Sequence, residues 1–258
     1  MKKTLLFQLG FLMTSLLASY QAYSTPLNFG LDLTEGGRLS SKATTQFEKH
    51  MAEQNCELTI VDETSLSLES LDFESLDFES LDLYFSVVEA GLAPTHFLPA
   101  LIARTINDEP LTITILIKSS TNIDTLVSIQ GERLGIISHK SFLGGEQAKR
   151  LLTDAGIRLH NSKIYQTENY FGAISLLLHG DVFIAAIPGP LAKKWKEHNK
   201  LSIIAESKPF QLGELFINTS VTKSQRESCT QAFLSLSKAN RRDKKMDIFP
   251  AWLAGFKY

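Results

Sequence analysis

The sequence holds little cysteine, Cys56 and Cys229 in 258 residues, and no CxxC, HExxH or histidine–cysteine cluster. Its six histidines are scattered, so neither a metal site nor a cofactor is expected. It also lacks an excess of positive charge: 26 basic against 28 acidic side chains, a net −2, carry no clustered basic face for nucleic acid. No G-x-S-x-G elbow and no G-x-x-x-x-G-K-[ST] loop occurs, so no nucleophile or phosphate-binding lysine stands out. With 43% hydrophobic and 21% charged residues, the composition excludes disorder, collagen and coiled coil, and fits one large domain or two lobes.

Long apolar runs are absent except at the N-terminus. There, Lys2 and Lys3 precede an apolar stretch over residues 4–18, and Ala22 and Ser24 stand at the −3 and −1 positions before Thr25. This three-part pattern predicts a cleavable signal peptide over residues 1–24, and hence a periplasmic, soluble protein. The run is short for a bilayer span, which needs about 20 residues. Removing the leader leaves 24 basic and 28 acidic side chains. In an oxidising compartment the two cysteines could pair, which requires both in one lobe; without a spacing signature, two buried thiols are the simpler reading.

After Pro26, short apolar runs alternate with helical patterns. Strands are expected over residues 27–33, 57–61, 83–88, 111–117, 133–138, 163–166, 182–187, 201–205 and 215–217. Helices are expected over residues 42–54 (capped by Ser41), 95–105, 144–155, 170–179, 191–198 and 222–238, with Gly156 and Gly180 closing two of them. The alternation predicts an α/β fold of two lobes, each a mostly parallel sheet flanked by helices. One irregularity is a pentapeptide: residues 69–73 read ESLDF and recur at 74–78 and, nearly, at 79–83. A period of five suits neither helix nor strand and reads as an exposed local duplication. Residues 51–103 contain eleven Asp or Glu and no Lys or Arg, a bias suited to a cationic ligand or basic partner.

The most informative segment is residues 133–151, RLGIISHKSFLGGEQAKRL, a strand running through a Ser/Gly turn into a helix. The first amides of such a helix lack internal acceptors and face the positive end of the dipole, a geometry that receives anions. Ser138 and Ser141 add hydroxyls, and Gly144 lets a ligand approach the backbone.

Together with residues 115–135 (ILIKSSTNIDTLVSIQGERLG) and 170–186 (YFGAISLLLHGDVFIAA), this segment resembles the periplasmic solute-binding proteins of the phosphate/phosphite/phosphonate type. The resemblance covers residues 111–195, and more loosely continues to 217. It implies a two-lobed fold, a small solute bound between the lobes, and an ABC-type permease as partner. In that family an S-T-S-G turn binds phosphonate oxygens; the matching residues here are Ser141, Phe142, Leu143 and Gly144. A family histidine falls on or beside Tyr170, and a family aspartate is replaced by Phe183. The resemblance therefore leaves an oxyanion such as phosphonate or phosphate, and a larger or more apolar solute, as alternative ligands.

In the first lobe, ligand contacts are expected at strand C-terminal ends: Thr34 and Arg38 after the first strand, and Glu89, Thr95 and His96 after the third. The expected organisation is a first lobe of residues 25–118 plus 203–258 and a second of 119–202, hinged near Lys118 and Ser202. The expected function is a monomeric, non-enzymatic receptor that closes on its solute and delivers it to the permease. A sensor subunit signalling to a membrane kinase, and a secreted enzyme on the same scaffold, are the alternatives.

Overall fold

The structure is a computed structural model that describes residues 25–61, 78–89, 95–121, 123–138, 140–238 and 244–258. The expected signal peptide and most of the pentapeptide repeat lie outside the described residues, as does the Glu89 side chain.

Two sheets organise the chain. The first holds β1 (Leu27–Leu31), β2 (Leu58–Ile60), β3 (Leu83–Glu89), β4 (Phe97–Thr105), β10 (Leu212–Asn218) and β11 (Leu253–Lys257), in the order β11-β4-β10-β3-β1-β2. The second holds β5 (Ile113–Lys118), β6 (Leu134–Ile137), β7 (Ile164–Thr167), β8 (Ile184–Pro188) and β9 (Leu201–Glu206), in the order β7-β6-β8-β5-β9. Both are mixed rather than mostly parallel. A parallel triplet (β2-β1-β3 or β7-β6-β8) is extended by antiparallel strands that carry the chain between lobes and back. The parallel triplets match the βαβ pattern read from the sequence; the return strands are fixed by partners distant in sequence.

The first sheet is flanked by α1 (Ser41–Glu53) and α5 (Lys223–Leu234). Helix α1 buries Ala43, Phe47 and Met51, a stripe at helical spacing. Phe47 packs on Phe29 at 5.7 Å, which meets Phe233 of α5 edge-on at 5.3 Å. Its cap is Ser40, whose Oγ accepts from the Ala43 amide, one residue earlier than expected. Cys56 and Cys229 form a disulfide within this lobe, so the reading as separate thiols is overturned. The spacing of two cysteines 173 residues apart carries no trace of the sheet that brings their Cα atoms within 4.8 Å.

Of residues 95–105, expected as a helix, Phe97–Thr105 form strand β4 instead. Pairing with β10 and β11 on either side outweighs local helix propensity. Pro99, which has no amide to donate, stands where the β4–β10 register shifts.

The second sheet is flanked by α2 (Ala148–Asp154), α3 (Tyr170–His179) and α4 (Gly189–His198). Helix α3 begins and ends where the sequence indicates: Asn169 caps it through the Gly172 amide at 3.0 Å, and Gly180 closes it at φ +87°. Strands β5 and β9 belong to this sheet, so the expected limits at Lys118 and Ser202 fall inside it. The crossings lie instead in residues 106–112 and 207–211, where the Phe210 amide donates to the Leu111 carbonyl at 2.7 Å. Beside them, Thr112 Oγ1 donates to Glu206 Oε1 at 2.6 Å.

Candidate functional site

The site is built where the C-terminal end of β1 faces the second lobe. After Leu31 the chain enters a turn that its own side chains define: Asp32 Oδ1 accepts from the Thr34 amide at 2.9 Å and from Thr34 Oγ1 at 2.6 Å. Gly36, at φ +80°, completes the turn in a conformation that L side chains rarely adopt, and a Cβ there would lie 3.5 Å from the Asn169 backbone. The turn is thus seated on the start of α3, and it aims Glu35 into the other lobe.

On that lobe, β6 ends in the Ser/Gly turn identified from the sequence. Ser141 is the N-cap: its Oγ accepts from the Gly144 amide at 2.8 Å. A wide π-type turn over Phe142–Gln147 comes next and runs directly into α2, leaving the Gly144 amide on the Ser141 cap and the Leu143 amide facing the other lobe. Gly144 is required by close approach, because a Cβ would stand 2.7 Å from Tyr170 Cε1 and 2.8 Å from the Ile137 side chain.

The Glu35 carboxylate occupies this turn. Its Oε1 accepts from Ser141 Oγ at 2.9 Å and from the Leu143 amide at 2.8 Å. Its Oε2 is bonded by the Tyr170 hydroxyl. Glu35, Ser141, Leu143 and Tyr170 are all fully buried. The partners are two hydroxyls and an amide, none of them cationic. Burial therefore dominates and pushes the Glu35 carboxyl up to about 7 despite the three hydrogen bonds, with the nearby Asp32 charge acting in the same direction. Burial, and then the Glu35 charge, hold the Tyr170 hydroxyl well above the ordinary tyrosine range. Asp32 is also raised by burial, opposed by the Thr34 and Val87 hydrogen bonds.

Of the residues singled out in the sequence, Ser141, Leu143, Gly144 and Tyr170 come together here. Phe142 is half-buried and packs edge-on against Phe210 of the second crossing at 5.9 Å. Ser138 shapes the turn, its Oγ accepting from the Lys140 amide at 3.2 Å. Thr34 is spent on Asp32. Arg38 projects into solvent and contributes its amide to the Asp247 carbonyl. Thr95 and His96 precede β4, whose first residue pairs with Asn218 at the end of the sheet away from Glu35. Their expected place after the third strand depends on reading β4 as a helix.

Glu35 is the residue that sequence reasoning misses. The loop stands out as polar and Gly-rich, but its acid is not distinguished there from solvated ones. The available signal is a carboxylate flanked by a turn-forming Thr34 and two glycines directly after a strand.

A separate cavity of about 790 Å³ opens at the lobe boundary, lined by Arg104, Phe171, Lys194, Trp195 and Lys238 among others; Glu35 and the Ser141 turn are not part of its lining.

The sequence profile described as "ABC transporter, phosphonate, periplasmic substrate-binding protein" matches residues 86–257. No curated protein sequence matches the chain. Among solved structures, PhnD1 of Prochlorococcus marinus in complex with methylphosphonate is similar with a TM-score of 0.61 at 14% identity, over 90% of this chain and 91% of that one. A binding-protein component of an ABC phosphonate transporter from Pseudomonas aeruginosa gives 0.59 at 12% identity, over 91% and 82%. A Xanthomonas citri protein bound to ATP gives 0.55 at 12% identity, over 91% of each. At these identities the likeness is one of fold: two-lobed periplasmic binding proteins.

Proposed function

Since the chain belongs to the family of periplasmic substrate-binding proteins of phosphonate ABC transporters, we propose that it recognises its solute through an oxyanion held at the Ser141 turn. Family membership makes it a periplasmic receptor that takes a small molecule to an ABC permease. The observation that carries the ligand class is the occupancy of the turn: Ser141 Oγ, the Leu143 amide and the Tyr170 hydroxyl converge on one carboxylate. Donors that satisfy a carboxylate satisfy phosphonate, phosphate or sulfonate oxygens by the same chemistry. Phe142 and Leu143 remove two hydroxyls from the turn, so fewer oxygens are bonded and the non-anionic part of the solute meets apolar side chains.

In this reading residues 1–24 are a cleaved leader and the mature chain, starting at Thr25, acts as a monomer without converting its solute. A ligand that touches both lobes favours the closed form according to its differential affinity for it. Thermal melting of the mature protein with methylphosphonate, phosphate, methanesulfonate and carboxylates tests it. Ligand at 100 times Kd stabilises by about 2.7 kcal/mol. A shift with an oxyanion that Ser141→Ala removes is expected. A shift unaffected by both Ser141→Ala and Tyr170→Phe would place the ligand elsewhere.

A further inference from the structure

We infer that Glu35 is a specificity-determining residue: its carboxylate is a tethered occupant of the Ser141 turn, and a free oxyanion binds only by displacing it. This rests on the reading of that turn as the oxyanion site. Each donor there is singly available. Ser141 Oγ, the Leu143 amide and the Tyr170 hydroxyl each carry one hydrogen, and all three face Glu35. No second anion can share them. Both the carboxylate and its partners are fully buried, so the site is closed around Glu35 rather than bordered by it.

The carboxylate comes from one lobe and the donors from the other, so their union closes the cleft without an external ligand. Attachment of Glu35 to the same chain gives it an effective concentration of millimolar order, which any free anion must exceed. The apparent affinity of a free anion is the intrinsic affinity multiplied by the fraction of molecules in which Glu35 is undocked. A displaced Glu35 also remains close to the incoming charge. The residue therefore rejects weak carboxylate ligands and admits only an oxyanion that bonds the turn more strongly than a carboxylate does.

The test is calorimetric titration of the mature protein with methylphosphonate and with methanesulfonate, using wild type, Glu35→Ala, Glu35→Asp and Ser141→Ala. Glu35→Ala empties the turn and is expected to bind at least tenfold more tightly than wild type. Glu35→Asp keeps the charge but withdraws it by one methylene, and is expected to lie between the two; it carries the test if the alanine variant does not fold. Small-angle scattering without ligand should show wild type compact and Glu35→Ala expanded. If both Glu35 variants bind no better than wild type while Ser141→Ala weakens wild-type binding, the turn is the oxyanion site but Glu35 is no competitor, and the inference falls. If neither probe binds any folded variant, the oxyanion reading fails and takes the inference with it.

Discussion

Ser141 and Glu35, 106 residues apart, share one hydroxyl: Ser141 Oγ accepts from the Gly144 amide at 2.8 Å while donating to Glu35 Oε1 at 2.9 Å. The same atom thus starts a helix in one lobe and holds a carboxylate of the other. Ser141→Ala removes a cap and one of three donors to a buried acid. The expected loss is about 2–4 kcal/mol, combining a cap with a hydrogen bond to a charged group. Urea denaturation of the variant checks it; a loss within the noise of a surface substitution would mean that the carboxylate does not depend on this turn.

The Glu35 carboxyl, raised from 4.5 to about 7 chiefly by burial, makes stability fall with rising pH. Between these two values the folded chain holds a proton that the unfolded chain has released, so stability is lost as pH rises through the folded value. The window runs from about pH 4.5, where the contribution is complete, to just above pH 7. At about 1.4 kcal/mol per unit, the full effect is of the order of 3 kcal/mol. Glu35→Gln preserves the shape and cannot titrate. Wild type minus Glu35→Gln stability, measured by denaturation from pH 5 to pH 8, should decline across the range, and a flat difference would show Glu35 ionised throughout.

Much of the second lobe is legible in the sequence because its signals are local. Asn169 and Gly180 bracket α3, and Ser141 with Gly144 mark a turn that a short sequence window contains. The first lobe is less legible because its decisive pairings are long-range. Strand β4 is a strand only because β10, more than a hundred residues later, and β11 at the C-terminus enclose it. Glu35 is invisible for the same reason: nothing near it in sequence distinguishes a solvated acid from one buried against Tyr170. The placement of ligand contacts at strand ends points to the loop that carries Glu35 but names Thr34 and Arg38 in it, whose bonds go to Asp32 and to the Asp247 carbonyl.

The disulfide ties the start of β2 to α5 and closes a loop of 173 residues, within the lobe that carries Glu35. Its removal is expected to cost about 2–5 kcal/mol, mostly by freeing the unfolded chain. Cys56→Ser with Cys229→Ser, compared with wild type under oxidising and reducing conditions, checks this. The double variant should melt at the temperature of reduced wild type, and reductant should leave it unchanged. Equal melting of oxidised and reduced wild type would mean that the bond contributes nothing.

Gly144 and Gly156 stand at opposite ends of the same helical segment, yet alanine should fail at each for a different reason. At Gly156 the space is open and the obstacle is the backbone, φ +82°, so Gly156→Ala should cost about 1–2 kcal/mol with no effect on the site. At Gly144 the φ is ordinary and the obstacle is Tyr170, whose Cε1 would lie 2.7 Å from the new methyl, with Ile137 at 2.8 Å behind it. Neither neighbour has a free end to swing away, so Gly144→Ala should cost about 1–3 kcal/mol as an overpacked core does. It should also push the Tyr170 ring off Glu35. The ring carbon and Ile137 stand closer to the new methyl than the Tyr170 hydroxyl, which is itself at 2.9 Å, so Tyr170→Phe should relieve only the smaller part of the Gly144→Ala loss, whereas Tyr170→Leu, which removes the ring, should recover more. Chemical denaturation of the single and double variants decides this. Rescue by Tyr170→Phe as complete as that by Tyr170→Leu would locate the conflict at the hydroxyl instead of in the packing of the ring.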